Sequence, residues 1–362
     1  MKSDNNRDSR LKVNFAKEQL DGSSDEYYRA IGNSKKKDLT SFIKKVQPLK
    51  FVLSEAKSIL SVGVGGGVEI NAIRTLFPEP TTIYGIDIAK KSIEVTNKYF
   101  KKNKVSTKNI VLFEGSATDI KLDNNRIFVD GIVVSSTLHE VFSYIPDSRK
   151  AWVSAVKELL FSLNKNGVLF IRDFAAPSVS IKVRMYFRKK QVISFYRYFS
   201  RHYRNFDSWT EEAKLNMHST DNIKFDFPII KDDYVELSFP AACEIMLHYK
   251  NYVDHLKRGM IQKSDLSWKE LNEVYLIPDP DILDIYVPMT PSVYIQKIMD
   301  ITNNLQENTK AKLEWADVSP RKKTVAFFKK YFYLSDCLDN SREDLFDQVS
   351  SKMEFCIKKV SR

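Results

Sequence analysis

Side chains able to do chemistry fall into short, separated stretches of the first half of the chain. Gly63, Gly65, Gly66 and Gly67 stand within five positions, where the apolar run Ser58–Val64 ends. Glycines there permit a tight turn and let a ligand approach the backbone closely. Asp87 closes the next apolar run, about 20 residues beyond the loop, where a carboxylate can accept two hydrogen bonds from a ribose diol. A plainer role for Asp87 is the N-cap of a helix beginning near Ala89. Further on come His139 and Glu140, then Asp173. Any of these can take a proton from a hydroxyl or an amine. The plainer reading packs His139 beneath a ligand and leaves Glu140 to cap a helix or pair with a cation. The HExxH zinc motif does not apply, because Ser143 stands where the second histidine belongs, and no metal site is expected.

The elements that must position these groups alternate. Strands are expected at Ser58–Val64, Thr82–Ile88, Ile110–Glu114, Gly131–Ser135 and Gly167–Arg172. Helices are expected at Val68–Leu76, Lys90–Lys102 and Arg149–Leu163. This alternation implies an α/β class, a doubly wound, mostly parallel sheet with helices on both faces. Ligands of such sheets bind outside the carboxyl ends of the strands, where all the singled-out residues lie. After Asp173 the rhythm breaks. Residues 174–285 read as a mainly helical insertion or lid, and 286–362 as the returning part of the α/β core. There, Thr290–Leu305 is a helix and Lys312–Ala316 and Met353–Lys358 are strands. Residues 1–24 read as a flexible arm and 25–57 as N-terminal helices, leaving 58–173 as the ligand-binding core.

A glycine loop alone does not name its ligand. The dinucleotide fingerprint wants glycine at position 68, and Val68 stands there. The ordered series instead resembles the class I S-adenosylmethionine (SAM)-dependent methyltransferases. Ser61-Val62-Gly63-Val64-Gly65-Gly66-Gly67 is similar to their first motif, and Tyr84-Gly85-Ile86-Asp87 to their second-strand motif. Glu114-Gly115-Ser116-Ala117-Thr118-Asp119 resembles the segment beside the adenine. The stretches from Asp130 to His139 and from Leu163 to Asp173 resemble the fourth and fifth strands with their exits. The resemblance covers roughly 50–174. It implies a seven-stranded sheet, SAM as cofactor and S-adenosylhomocysteine (SAH) as product. It also implies contacts from Ser61, Gly63, Gly65, Gly67, Asp87, Ile88, Ser116, Ala117 and Ser135, with Tyr28 closing over the cofactor. Two positions depart from the family pattern. Ser61 stands where an acid usually helps hold the ligand's amino end, and a hydroxyl binds an ammonium less strongly than a carboxylate. Ser116 stands where Asp is frequent, which shifts adenine recognition toward the backbone at Ala117.

The acceptor is less determined. Lys and Arg total 57 against 46 Asp and Glu, so an acidic partner is worth considering. Segment 182–206 carries Lys182, Arg184, Arg188, Lys189, Lys190, Arg197, Arg201 and Arg204, interleaved with aromatic residues from Tyr186 to Tyr203. Such a mixture suits nucleic-acid binding. It equally suits a lid helix whose aromatic stripe packs inward and whose cations are solvated. His139-Glu140-Val141-Phe142-Ser143-Tyr144 and Arg172-Asp173 resemble bacterial methyltransferases of secondary metabolism. That resemblance implies an O- or N-methyltransferase acting on a small-molecule or peptide acceptor. The alternatives are a nucleic-acid methyltransferase and a SAM-fold binding protein without catalysis. The three cysteines form no CxxC pair and suggest no disulfide framework. With no leader-like apolar segment and no membrane span, a cytoplasmic protein is expected, and a homodimer is admitted.

Overall fold

The computed structural model describes residues 31–32, 36–145, 147–204, 227–231, 233–261, 269–282, 286–305, 309–338, 345–349 and 352–361. The expected arm 1–24 and Tyr28 lie outside them. The chain divides into two compact units.

Unit 1 comprises 1–173, 295–317 and 354–362. Its elements begin with α1 (Lys36–Val52), β1 (Ser58–Val62), α2 (Val68–Leu76), β2 (Thr82–Asp87), α3 (Lys90–Asn103) and β3 (Ile110–Glu114). A small hairpin, β4 (Lys121–Leu122) and β5 (Asn125–Arg126), precedes β6 (Val129–Ser135), α4 (Leu138–Tyr144), α5 (Ser148–Phe161) and β7 (Leu163–Asp173). The unit's remaining strands are β10 (Thr309–Asp317) and β12 (Met353–Ser361). They form one seven-stranded sheet in the order β10-β12-β7-β6-β1-β2-β3. The β1–β2, β2–β3, β1–β6 and β6–β7 pairs are parallel, and β10–β12 is antiparallel. The doubly wound α/β expectation therefore holds. Near-continuous apolar strands such as Ile132–Val134 and Val168–Ile171 are what a sheet covered on both faces requires. Asp130 fastens the amino ends of the strands. Its carboxylate accepts from the backbone N–H groups of Lys57 and Ser58 at 2.8 and 3.1 Å, and from Asn164 Nδ2 at 2.8 Å.

Unit 2 comprises 174–294 and 318–353. It corrects the expectation of a mainly helical insertion confined to 174–285. β8 (Lys182–Phe187), β9 (Tyr234–Ser238) and β11 (Phe332–Asp336) form an antiparallel three-stranded sheet in the order β11-β8-β9. Helices α6 (Lys190–His202), α7 (Phe239–Arg258) and α9 (Lys322–Tyr331) accompany it, while α8 (Pro291–Asn303) spans the division between the units. The expected lid helix over 182–206 starts only at Lys190. Before that, Val183, Met185 and Phe187 are buried at a period of two, the pattern of a strand. The expected return to the core over 286–362 is interrupted too. Phe328, Tyr331 and Phe332 bury themselves in the apolar cluster of unit 2.

That cluster is built largely of aromatic rings. Phe195 stacks on Phe199 with centroids 5.7 Å apart, and His248 on Tyr275 at 4.3 Å. At its centre the buried Glu244 carboxylate accepts from the backbone N–H groups of Tyr275 and Leu276 at 2.8 and 2.9 Å, and from Tyr203 Oη at 2.8 Å. Burial pushes the Tyr203 hydroxyl well above its usual range, and the neighbouring Glu244 charge adds to this, so Tyr203 stays a donor. An isosteric amide would bring N–H groups against these donors. Glu244→Gln is expected to lower unfolding free energy by roughly 3 kcal/mol in urea titration, since charge-assisted bonds to buried partners are being lost.

Candidate active site at the carboxyl edge of the sheet

The site is framed by the exits of β1, β2, β6 and β7. β1 runs into the glycine loop, where Gly63, Gly65 and Gly67 have φ of 79°, 51° and 82°. These left-handed values explain why the loop repeats glycine at every second position. A side-chain carbon on Gly63 would lie 2.5 Å from Thr137 Oγ1, because Thr137 is drawn against the loop by donating to the Val62 carbonyl at 3.0 Å. At Gly65 the same carbon would meet no atom of the described residues within 4 Å.

Asp87 ends β2 and faces that loop. One carboxylate oxygen accepts from the Gly65 N–H at 3.2 Å and the other from the Ala89 N–H at 2.9 Å. Asp87 thus holds the loop and also the start of α3. Ile88 beside it is half-buried. After β3, Ser116 shapes its own turn. Its hydroxyl accepts from the Thr118 N–H at 3.2 Å and pairs with Thr118 Oγ1 at 2.8 Å, with Ala117 buried at the turn's tip.

The exits of β6 and β7 carry the proton-handling groups. Ser136 adopts φ 59°, an uncommon value for a non-glycine residue, and its N–H donates to the Arg172 carbonyl at 2.7 Å. That kink turns the chain into α4. His139 lies in its first turn, with Nδ1 2.6 Å from Asp173 Oδ1. The His139 backbone N–H donates to Asp173 Oδ2 at 3.1 Å. Both side chains are buried. Against an ionised carboxylate, which only accepts, Nδ1 is the donor of this pair. Glu140, the next residue, is half-buried and does not share this bond pair with Asp173.

Ser61 is fully buried, and its hydroxyl donates to Glu69 Oε1 at 2.9 Å. Ser135 also hydrogen-bonds that carboxylate, and Arg172 and Lys45 are close enough to act on it electrostatically. Burial raises the Glu69 carboxyl above the usual range despite these partners. Burial, with Arg172 adding to it, lowers Lys45 to about 8. Motif comparison singled out Ser61 and Ser135 but neither Glu69 nor Lys45. The available signal was an acid between two apolar residues in the first turn of a helix, Val68-Glu69-Ile70.

The residues present fit a SAM-sized nucleoside ligand. Among the described residues nothing crowds Gly65, the Asp87 carboxylate faces the loop, and a backbone turn stands at Ala117.

Comparison with known proteins agrees with this geometry. Residues 60–171 match the family model described as a methyltransferase domain. That stretch, about a third of the chain, is similar to a methyltransferase domain, in line with the SAM-dependent class that the ordered motifs resemble. Among solved structures, it is similar to the SAM-bound amino pentose methyltransferase of calicheamicin biosynthesis from Micromonospora echinaspora. That match has 18% identity and a TM-score of 0.30, over 40% of this chain and 52% of that one. It is also similar to the N-methyltransferase NodS from Bradyrhizobium japonicum, at 18% identity and TM-score 0.32, over 42% and 75% of the two chains. A SAM-dependent methyltransferase from Clostridium acetobutylicum aligns over 90% and 92% of the two chains, at 9% identity and TM-score 0.39. The first of these matches spans about half the length of its counterpart. No curated protein matches by sequence.

Lys45 allows a direct check on the buried charges. Its folded value of about 8 lies below its ordinary 10.5, so between these pH values the unfolded chain holds more protons and stability rises with pH. Thermal unfolding of the protein and of Lys45→Met is expected to diverge in the protein's favour from pH 8 to pH 10.5. Parallel curves across that window would place Lys45 in solvent.

Proposed function

We propose that this protein transfers the methyl group of SAM to an oxygen or nitrogen of a small-molecule or peptide acceptor, with His139 as general base and Asp173 as its positioning partner. The observation that carries the reading is the 2.6 Å Nδ1–Oδ1 contact made at the end of β7, beside the exit of β6. When bound, SAM supplies a methyl group already activated on a sulfonium. The chain's part is then alignment and, for a protonated acceptor, removal of one proton. Asp173 fixes the imidazole through two bonds, one to the ring and one to the backbone of the same residue. It holds the hydrogen on Nδ1, so Nε2 is the atom that takes the acceptor's proton, and Asp173 stabilises the imidazolium that results. Glu140 is the further acid at this exit and a second candidate for proton transfer.

For the cofactor, we assign Gly63, Gly65 and Gly67 to the close approach of the backbone. Asp87 and Ile88 would take the ribose side, and Ser116 and Ala117 the adenine side. Ser61 and Ser135 would flank the methionine end, with Tyr28 as a covering residue from the N-terminal segment. A small acceptor is favoured over nucleic acid by the fate of segment 182–206. Its Phe195, Tyr196 and Phe199 are buried in the unit's own core and are not presented for base stacking. Its cations are partly engaged, Arg184 with Glu236 at 2.9 Å and Arg188 Nε with the Phe332 carbonyl at 2.9 Å. No helix among the described residues is long and apolar enough to cross a membrane. We propose a cytoplasmic enzyme, with the acidic acceptor and the homodimer as further parts of the reading.

The test is a pair of measurements on His139→Ala and Asp173→Asn. Calorimetric SAH affinity should stay within about threefold of the parent. SAH release, followed with a panel of small hydroxyl and amine acceptors, should fall by a factor of roughly 100 or more, the usual contribution of a general base. Unchanged turnover in His139→Ala would remove the base from the mechanism. Methyl incorporation into RNA, lost steeply with added salt, would overturn the small-acceptor reading.

A further inference from the structure

A belt of buried polar groups crosses the carboxyl edge of the sheet of unit 1. Ser61 is in register with Val133, and Ser135 with Arg172, so Ser61, Ser135 and Arg172 project from the same face. Glu69, in the first turn of α2 and two residues beyond Gly67, reaches into this row. It accepts from Ser61 Oγ at 2.9 Å and bonds Ser135 as well. Arg172 is held in place by Glu354, Nε to Oε1 at 2.9 Å, and also donates toward Ser136 Oγ at 3.4 Å. Lys45, from α1, completes the electrostatic surroundings of Glu69. The glycine loop therefore has a buried carboxylate at its base and fixed cations nearby.

Burying a carboxylate is costly unless something makes use of its charge. The methionine end of SAM is an α-amino acid and brings an ammonium to this edge of the sheet. The hydroxyl at position 61 is already donated to Glu69, and an ammonium carries hydrogens only and needs acceptors. We propose that Glu69 is the anionic partner of the SAM ammonium, so that the negative charge absent from the end of β1 is supplied by the first turn of the following helix. Ser61 and Ser135 orient the carboxylate, and Arg172 and Lys45 favour its ionised form. This inference rests on the SAM reading given above.

The experiment compares two ligands that differ at the methionine end. SAH carries the amino acid, and 5′-methylthioadenosine lacks it. With the full chain in calorimetry, Glu69→Gln is expected to weaken SAH binding by roughly tenfold and to leave methylthioadenosine within about twofold. Adding Ser61→Asp to Glu69→Gln should recover most of the SAH affinity by restoring a carboxylate at the neighbouring position. Equal losses for both ligands in a folded variant, or no loss for either, would overturn the proposal. Should Glu69→Gln fail to fold, Glu69→Asp, which keeps the charge but withdraws it by one methylene, carries the same comparison. Its expected result is a smaller loss confined to SAH, and equal changes for both ligands would again overturn the proposal. If the parent protein binds neither ligand, it is the SAM reading that fails.

Discussion

The site depends on one carboxylate, that of Asp173. It ends β7 and accepts from both the ring and the backbone of His139. A single side chain thereby ties the end of one strand to the first turn of the helix that follows its neighbour. Were it absent, the left-handed kink at Ser136 would still turn the chain, but the imidazole would lose the partner that selects its tautomer. Backbone and side chain of His139 are held by the same carboxylate, which fixes the exits of β6 and β7 to one another.

The other half of the site is organised by Asp87 and the glycine loop. Asp87 binds the loop through the Gly65 N–H and the next helix through the Ala89 N–H. Its bond to Ala89 serves the start of the helix, the plainer of the two roles considered from the sequence, although the N-cap position itself is Ala89. Thr137 links the two halves by donating to the Val62 carbonyl, closing β6 onto the loop at a point where only glycine leaves room.

The legibility of the chain follows from sequence distance. The strands β1, β2, β3, β6 and β7 each contain a short apolar run, and helices separate all of them but β3 and β6, so the alternating core could be read from the sequence with its ends shifted by up to four residues. The three-stranded sheet of unit 2 could not. β8 pairs with β11, so Phe187 meets Phe332, and nothing local to either strand announces a partner so remote. In β8 the alternation of Val183, Met185 and Phe187 lasts only six residues and runs straight into a helix with the same aromatic composition. The segment around Tyr331 resembled a continuation of the α/β core, yet its apolar face is buried elsewhere. At the site, the motif residues other than Tyr28 lie among the described residues at the strand exits, whereas Glu69 belongs to no motif. Its place is set by a hydrogen bond across the loop rather than by its position in a pattern.

We propose that the carboxyl edge of this sheet binds nucleosides of the SAM family. Titrating the purified full chain with SAH in a calorimeter while following its melting temperature tests this most directly. Saturable binding of one molecule per chain is expected, with a melting temperature that climbs with ligand concentration as linkage requires. No heat and no shift at millimolar SAH would contradict it.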